Sequence, residues 1–460
     1  MAGSLPYAQR RRRLQARFSG GLLLLLGNGE SPMNYPDNPY PFRQDSTFLY
    51  FTGIARPGFA ALVDLDAGRT TLYADDPTLD DIVWTGPQPS ARDLADAAGI
   101  EGVAAAAALE TEVQRALAGG RPVHFLPPYR GEHQLRLQAA LGLAPAEQAA
   151  RASVPFIRAV ADLRIRKAPE EIAEIEAAVE VSVRMHLAAM AMARPGVLES
   201  EIRGRVTEIA LAAGGGLSFP VIATVRGGVL HNHDYSHALE PGQLFLLDAG
   251  AETANGYAGD LSSTFPVDPA FTSRQRDIHD LVLAAFLAAV AALRPGVPFQ
   301  DVHRLACRTL ASGLRDLGLM KGDVDEAVAQ GAHALFFPCG LGHLMGLDVH
   351  DMENLGEGWV GHEGRPRSTQ FGLKSLRLAR PLEPGFVLTV EPGIYVMPEL
   401  ADRWRGEGRF RDFIDYGALE AWRGFGGLRI EEDFLVTEDG ARRLGPPKPR
   451  TAAEIEAAKG

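Results

Sequence analysis

Four apolar runs in the second half of this chain end on, or alternate with, carboxylates, and that pattern constrains the fold more than any other feature. Leu244-Phe-Leu-Leu-Asp248-Ala-Gly250 is a core-like strand that stops on an aspartate at a glycine corner. Gly256-Tyr-Ala-Gly-Asp260-Leu-Ser-Ser-Thr264-Phe265 reads as the returning strand of a hairpin. Its period of two puts Asp260, Ser262 and Thr264 on one face and predicts Asp260 across from Asp248. Val387-Leu-Thr389-Val-Glu391-Pro-Gly-Ile-Tyr395 repeats the theme, as does Gly427-Leu-Arg429-Ile-Glu431-Glu432-Asp433, in which Arg429, Glu431 and Asp433 share a face. A solvated edge strand explains any one of these. It does not explain all four together with a histidine between glycines, Gly340-Leu-Gly342-His343-Leu-Met-Gly346-Leu-Asp348-Val-His350. A lone buried carboxylate costs several kcal/mol unless a cation or donors meet it. Four in one cleft repel each other and raise each other's pKa unless divalent cations supply the missing positive charge. Carboxylates with one imidazole and no thiolate suit Mn²⁺, Fe²⁺, Co²⁺ or Zn²⁺.

Composition narrows the partners. Lys and Arg number 46 against 58 Asp and Glu, a formal net charge of −12 that repels phosphate backbones and anionic lipid, so nucleic acid and membrane are not expected partners. Two cysteines, Cys307 and Cys339, are too few for a disulfide framework and point to a reducing, cytoplasmic compartment. Arg10 to Arg13 followed by Leu22–Leu26 imitates a secretory leader, but the apolar run is shorter than the roughly 7–15 residues of a signal core. A buried first strand preceded by a basic helix is expected instead. No stretch reaches the ~18 apolar residues of a membrane span.

At 460 residues two or three domains are expected. Residues 1–163 alternate short strands (Leu22–Leu26, Ala60–Leu65, Thr70–Tyr73, Val123–Leu126) with Ala-rich helical stretches (Ala91–Gly99, Val103–Ala118), an α/β pattern. A Pro with two acids in the first turn, Pro169-Glu-Glu171, opens a long helix that starts the second domain, 164–460. Helices about Ser273–Leu293 and Phe299–Leu317 follow. Gly356–Gly372 and Leu400–Gly424, dense in Gly, Arg and Pro, read as loops. No tandem repeat is evident.

At the acidic strands the chain resembles the M24 metallopeptidases of the pita-bread fold, in the branch of Xaa-Pro aminopeptidases and prolidases. The resemblance rests on Asp248-Ala-Gly, Gly-Tyr-Ala-Gly-Asp260, Gly342-His343, Asp348-Val-His350, Glu391-Pro-Gly-Ile-Tyr395 and Arg429-Ile-Glu431, in order over the second domain. Phe42-Arg-Gln-Asp45-Ser-Thr-Phe-Leu-Tyr-Phe-Thr-Gly53 is similar to the N-terminal, creatinase/aminopeptidase P-like domain of the same branch. The resemblance implies an α/β N-terminal domain before a pita-bread catalytic domain. It implies two divalent ions, Mn²⁺ first with Zn²⁺, Co²⁺ or Fe²⁺ as alternatives, on Asp248, Asp260, His343, Glu391 and Glu431, with Asp260 and Glu431 shared. Strand alternation leaves Glu431 and Glu432 equally open, and the resemblance selects Glu431.

The implied activity is hydrolysis of the bond between an N-terminal residue and a following proline in peptides with proline second. Glu391 would shuttle the proton, and His231 and His350 would act in catalysis and substrate binding, with Tyr395 and Arg429 bracing or lining the site. The alternative within the enzymes is an Xaa-Pro dipeptidase, which needs an arginine for the substrate carboxylate: Arg365, Arg367, Arg377, Arg380 or one of Arg403 to Arg411. A non-catalytic pita-bread binding protein is the remote alternative. The family's two-domain members imply a homodimer or homotetramer. Two departures stand out: Cys339 where the family usually has histidine, with His233, His237 or His362 as candidates to supply that group, and one extra residue in the loop between Asp248 and Asp260.

Overall fold

The computed structural model describes residues 6–459 and divides into two compact units. One contains the chain up to Arg164 together with Met352–Trp359, and the other contains Ile165–Asp351 and the chain from Val360 onward.

In the first unit the five leucines Leu22–Leu26 form a buried strand, antiparallel to Ala60–Asp64 and parallel to Val123–His124. Arg69–Tyr73 pairs with Ala60–Asp64, and Gly102–Ala104 with Arg69–Tyr73, completing a five-stranded mixed sheet. The basic run before it is the helix Tyr7–Gln15, as expected, and its charge is structural. Arg11 is buried and donates to the carbonyls of Phe51 (2.7 Å) and Ala98 (2.8 Å), the last turns of the helices Ser46–Thr52 and Ala91–Ala98, where unpaired carbonyls favour a cation. The Gln-Asp-Ser-Thr motif also has local causes. Asp45 caps Ser46–Thr52 by accepting from Phe48 N–H at 2.8 Å, and Gln44 accepts from Asn28 N–H at 2.7 Å. The stretch Val103–Ala118, expected to be helical throughout, begins as an edge strand and becomes helix only at Leu109–Ala118. Backbone pairing to Thr71–Tyr73 overrides the helix propensity of its alanines.

The second unit is built twice over. The helix pairs Pro169–Met192 with Glu199–Ala212, and Ser273–Ala292 with Phe299–Asp316, each join through an Arg-Pro-Gly-Val turn, Arg194–Val197 and Arg294–Val297. Gly196 and Gly296 sit at φ +90° and +83°, the third position of a type II turn, which glycine alone adopts freely. Each turn is held by the same bonds: Gly196 N–H to Leu239 O at 2.9 Å, and Gly296 N–H to Leu382 O at 2.8 Å. Leu239 and Leu382 each open a Leu-Glu-Pro-Gly corner and lead into a strand with an acid at its end, Asp248 as the last residue of one and Glu391 just after the other. The two copies lie a hundred residues or more apart and share only short turn motifs, so the sequence carries no tandem repeat.

Each half contributes a three-stranded antiparallel sheet. Ile222–Thr224, Leu244–Asp248 and Ser262–Pro266 form one; Val387–Val390, Glu432–Val436 and Ala441–Arg443 form the other. A bridge between Ser262 and Glu431 joins them, with Glu431 N–H on Ser262 O at 3.2 Å. The stretch Leu400–Gly424 is not the loop expected. Pro398–Gly406 is a helix with proline in its first turn, and the buried Trp404 anchors it. Among the described residues no helix is long and apolar enough to cross a membrane.

Candidate metal centre

Asp248 ends its strand directly opposite Ser262, not opposite Asp260. Asp260 lies two residues upstream of the paired segment, where Asp433 Oδ2 accepts from its backbone N–H at 3.0 Å. The period-two reading therefore had the register wrong by two residues, although both acids line the same cavity. The Arg429-Ile-Glu-Glu-Asp433 segment is likewise not one strand. Gly427–Arg429 pairs with Gly393–Tyr395, and Glu432–Val436 pairs with the Val387 strand, so Glu431 sits at the break between them.

His343 is placed by close backbone approach. Its N–H donates to Thr389 Oγ1 at 3.1 Å and its carbonyl accepts from Thr389 N–H at 3.0 Å. A Cβ on Gly342 would lie 2.0 Å from Thr389 O, so only glycine permits this contact. Nε2 of His343 then stands 3.3 Å from Asp260 Oδ2 and 3.8 Å from Glu391 Oε1. Ligating atoms of Asp260, His343 and Glu431 all fall within 4.8 Å of one another.

These groups line a cavity of about 620 Å³ with Asp248, Glu391, Arg429, His231 and His350. Tyr395 is fully buried behind the lining, where its hydroxyl accepts from Arg429 Nη1 at 2.9 Å. Arg429 Nε donates to Ser262 Oγ at 2.8 Å, and Nη2 pairs with Asp248. Ser262 Oγ in turn donates to Glu431 Oε2 at 2.8 Å. Ser262 and Asp433 are the organising residues that the candidate list lacks. Their signal was present in the face-sharing pattern, but a hydroxyl and a third acid carry no metal motif.

Charge balance shows what the cavity lacks. Burial first, and then the charges of Asp248 and Glu391, push the Asp260 carboxyl well above the usual carboxylate range. Burial and the charges of Asp260 and Asp248 do the same to Glu431, and burial and Glu431 to Glu391. The Arg429 guanidinium opposes this at all three, and Arg377 also at Glu391. Oδ1 of Asp248 and Oδ1 of Asp260 are buried without a hydrogen-bond partner. Hard oxygen donors, one imidazole and two orphaned carboxylate oxygens on one cavity wall fit divalent cations.

Among the remaining candidates, Glu432 faces away from the cavity toward Arg450, 3.4 Å distant. His350 lies edge-on to His343 with ring centroids 4.4 Å apart. Cys339 lines the cavity, and burial with the nearby Glu391 charge pushes its thiol up to about 12, so it stays protonated. Of the three histidines offered as its substitutes, His233 lines the cavity. His237 is bound to Glu199 at 2.8 Å and His362 to Leu376 O at 3.1 Å. Of the arginines offered for a substrate carboxylate, Arg377 lines the cavity, whereas Arg365, Arg403 and Arg405 pair with surface acids. Phe219, Ile222, Leu230 and Met397 give it an apolar wall that no periodicity in the sequence announced.

The chain matches the model of metallopeptidase family M24 over residues 173–438 and that of the aminopeptidase P N-terminal domain over residues 7–124. It is 32% identical to an Xaa-Pro aminopeptidase of Escherichia coli over 98% of this chain and 96% of that one. It is 31% identical to a human Xaa-Pro dipeptidase, over 98% and 90%. Solved structures of E. coli aminopeptidase P, one with the inhibitor Pro-Leu and one substituted with Zn in complex with product, superpose with TM-score 0.81 at 30% identity. They cover 99% of this chain and 97% of theirs.

Proposed function

Because the chain belongs to metallopeptidase family M24 and carries the N-terminal domain of aminopeptidase P, we propose that it is an Xaa-Pro aminopeptidase. It hydrolyses the bond between an N-terminal residue and a following proline. The observation that carries this reading is the set of buried, mutually repelling carboxylates with orphaned oxygens, in a chain that aligns end to end with Xaa-Pro aminopeptidases. In this reading Asp248, Asp260, His343, Glu391 and Glu431 would hold two divalent ions, Mn²⁺ first. Bound there, such ions supply Lewis acidity and lower the pKa of water toward neutrality.

The side chains do the rest. Glu391, a carboxylate on the cavity surface, takes and returns the proton. His231 and His350 offer N–H donors to the scissile carbonyl as it gains charge. Arg429, braced by Tyr395 and Ser262, holds Asp248 in place. Proline has no N–H, so the site needs no ladder acceptor for it, and the wall of Phe219, Ile222 and Leu230 suits its ring. Arg377 supports the second reading, an Xaa-Pro dipeptidase, because it gives a dipeptide's carboxylate a cation at the cavity wall.

The domains in this reading are 1–163 and 164–460. The compartment is the cytoplasm, consistent with two unbridged cysteines. The assembly is a homodimer or homotetramer, supported by the exposed apolar face of the helix Leu79–Thr85, where Leu79, Val83 and Trp84 are 77%, 69% and 84% exposed. The deciding assay gives purified, Mn²⁺-loaded protein Gly-Pro and Gly-Pro-Xaa. Faster cleavage of the tripeptide is expected, with activity lost to a chelator. Preference for Gly-Pro favours the dipeptidase, and no turnover on any Xaa-Pro peptide overturns the peptidase reading.

A further inference from the structure

A second group of ligating side chains lies apart from the carboxylates. His303 and Cys307 are one turn apart on the helix Phe299–Asp316 and project from the same face. His333 comes from the 3-10 turn Ala332–Leu335, which packs against that helix. One ligating atom from each of the three falls within 4.8 Å of the others. His303 and Cys307 are 1% exposed and His333 5%.

Their polar atoms are poorly satisfied. Sγ of Cys307 lies 3.4 Å from Nε2 of His303, but Nδ1 of His303 and both ring nitrogens of His333 have no hydrogen-bond partner among the described residues. Buried side-chain nitrogens are nearly always partnered, so three orphans in one pocket need a cause. Packing alone does not provide one. The His303 ring rests against Phe337 at 5.7 Å between centroids, a contact that an apolar side chain would make without desolvating two nitrogens.

We propose that His303, Cys307 and His333 form a separate mononuclear metal site that takes Zn²⁺ or a similarly thiophilic divalent ion. Tetrahedral coordination with Zn–S of about 2.3 Å and Zn–N of about 2.0–2.1 Å sets S and N about 3.5 Å apart. The 3.4 Å between Cys307 and His303 already meets that spacing. Burial lowers the pKa of His303 to about 3 and of His333 to about 4, so both imidazoles are neutral and have a lone pair to give. Binding replaces the thiol proton of Cys307, which leaves to solvent, and three protein ligands leave a fourth position for water or a small anion. A thiolate with two imidazoles favours Zn²⁺ over Mn²⁺ more strongly than the harder carboxylate centre does, because thiolate is the softer donor. The role is structural. The segment from His333 runs through Phe336, whose carbonyl accepts from Tyr395 N–H at 2.8 Å, to Cys339 on the cavity wall, and an ion would pin its start.

The test is Co²⁺ titration of reduced, metal-stripped full-length protein, read by the near-ultraviolet thiolate-to-cobalt charge-transfer band, which an oxygen and imidazole centre does not give. The wild type is expected to show the band, saturating at one ion per chain and bleached by Zn²⁺ but not by Mn²⁺. Cys307→Ser should abolish it and hold one ion fewer than wild type, while Cys339→Ser keeps it. His333→Gln, a milder change to the core, should weaken Co²⁺ binding at the band by at least tenfold. A band absent from cobalt-loaded wild type, surviving Cys307→Ser, or lost with Cys339→Ser instead overturns the proposal.

Discussion

Asp248 gives one carboxylate oxygen to Arg429 and leaves the other without a donor, and Asp260 is in the same position beside His343. Removing one of these acids should therefore undo the centre and not merely adjust it. Asp260→Ala is expected to lose at least one bound ion per chain by metal analysis and to lower kcat/KM by on the order of 10³-fold or more. Cys339→His should place an imidazole donor on the cavity wall and raise kcat/KM by about tenfold, the scale of one charge-assisted hydrogen bond. An unchanged rate would make Cys339 a filler. His186 tests linkage away from the cavity. It is wholly buried, with Nδ1 on Ser263 Oγ at 2.9 Å and Nε2 on Ala249 O at 3.0 Å. Burial, with the Lys448 charge, lowers its pKa from 6.5 to about 3. The unfolded chain protonates this histidine below about 6.5 and the folded chain does not, so its contribution is complete above that pH and falls on acidification towards about 3. Denaturant unfolding of the wild type should lose roughly 1.4 kcal/mol per pH unit more than His186→Gln between about pH 6 and 4.

At the scale of elements, the close approach of Gly342 to the Thr389 strand fixes where His343 points. Gly342→Ala forces two backbones apart and should cost roughly 1–3 kcal/mol in denaturant unfolding and lower kcat/KM with it. This strand-and-corner layer is where the sequence was most legible. An acid that terminates an apolar run, as Asp248 and Glu391 do, contradicts a core strand so plainly that it marks a site. What lay beyond reading was register and context. Asp260 lies outside the ladder, two residues short of it, because the strand opposite Asp248 begins only at Ser262. Glu431 and Glu432 differ only through a strand break that alternation cannot reveal. Pro398–Gly406 was hidden because proline, glycine and arginine in a short span suggest a loop, while its anchor Trp404 packs against Phe371 and Phe410, contacts that no periodicity announces.

On the scale of the whole molecule, net charge and surface are the readable quantities. The formal −12 disfavours nucleic acid and also describes the site, since the carboxylates proposed as ligands account for four of those charges. The exposed face of Leu79, Val83 and Trp84 predicts association. Val83→Glu with Trp84→Glu should lower the assembly's mass toward one chain in light scattering without lowering the unfolding midpoint, because neither side chain packs within the chain. The doubled architecture, by contrast, was written in turns too short to recognise, Arg-Pro-Gly-Val and Leu-Glu-Pro-Gly.

That doubling also sets an order of events on the ribosome. In the proposed ligand set Asp248 and Asp260 come from the first half, and His343, Glu391 and Glu431 from the second. A nascent chain stalled before residue 343 would thus carry two of those acids without the rest of that set. The proposed sulfur-bearing trio is complete by His333, so a growing polypeptide would carry every ligand of that site before it carries every ligand of the proposed carboxylate centre.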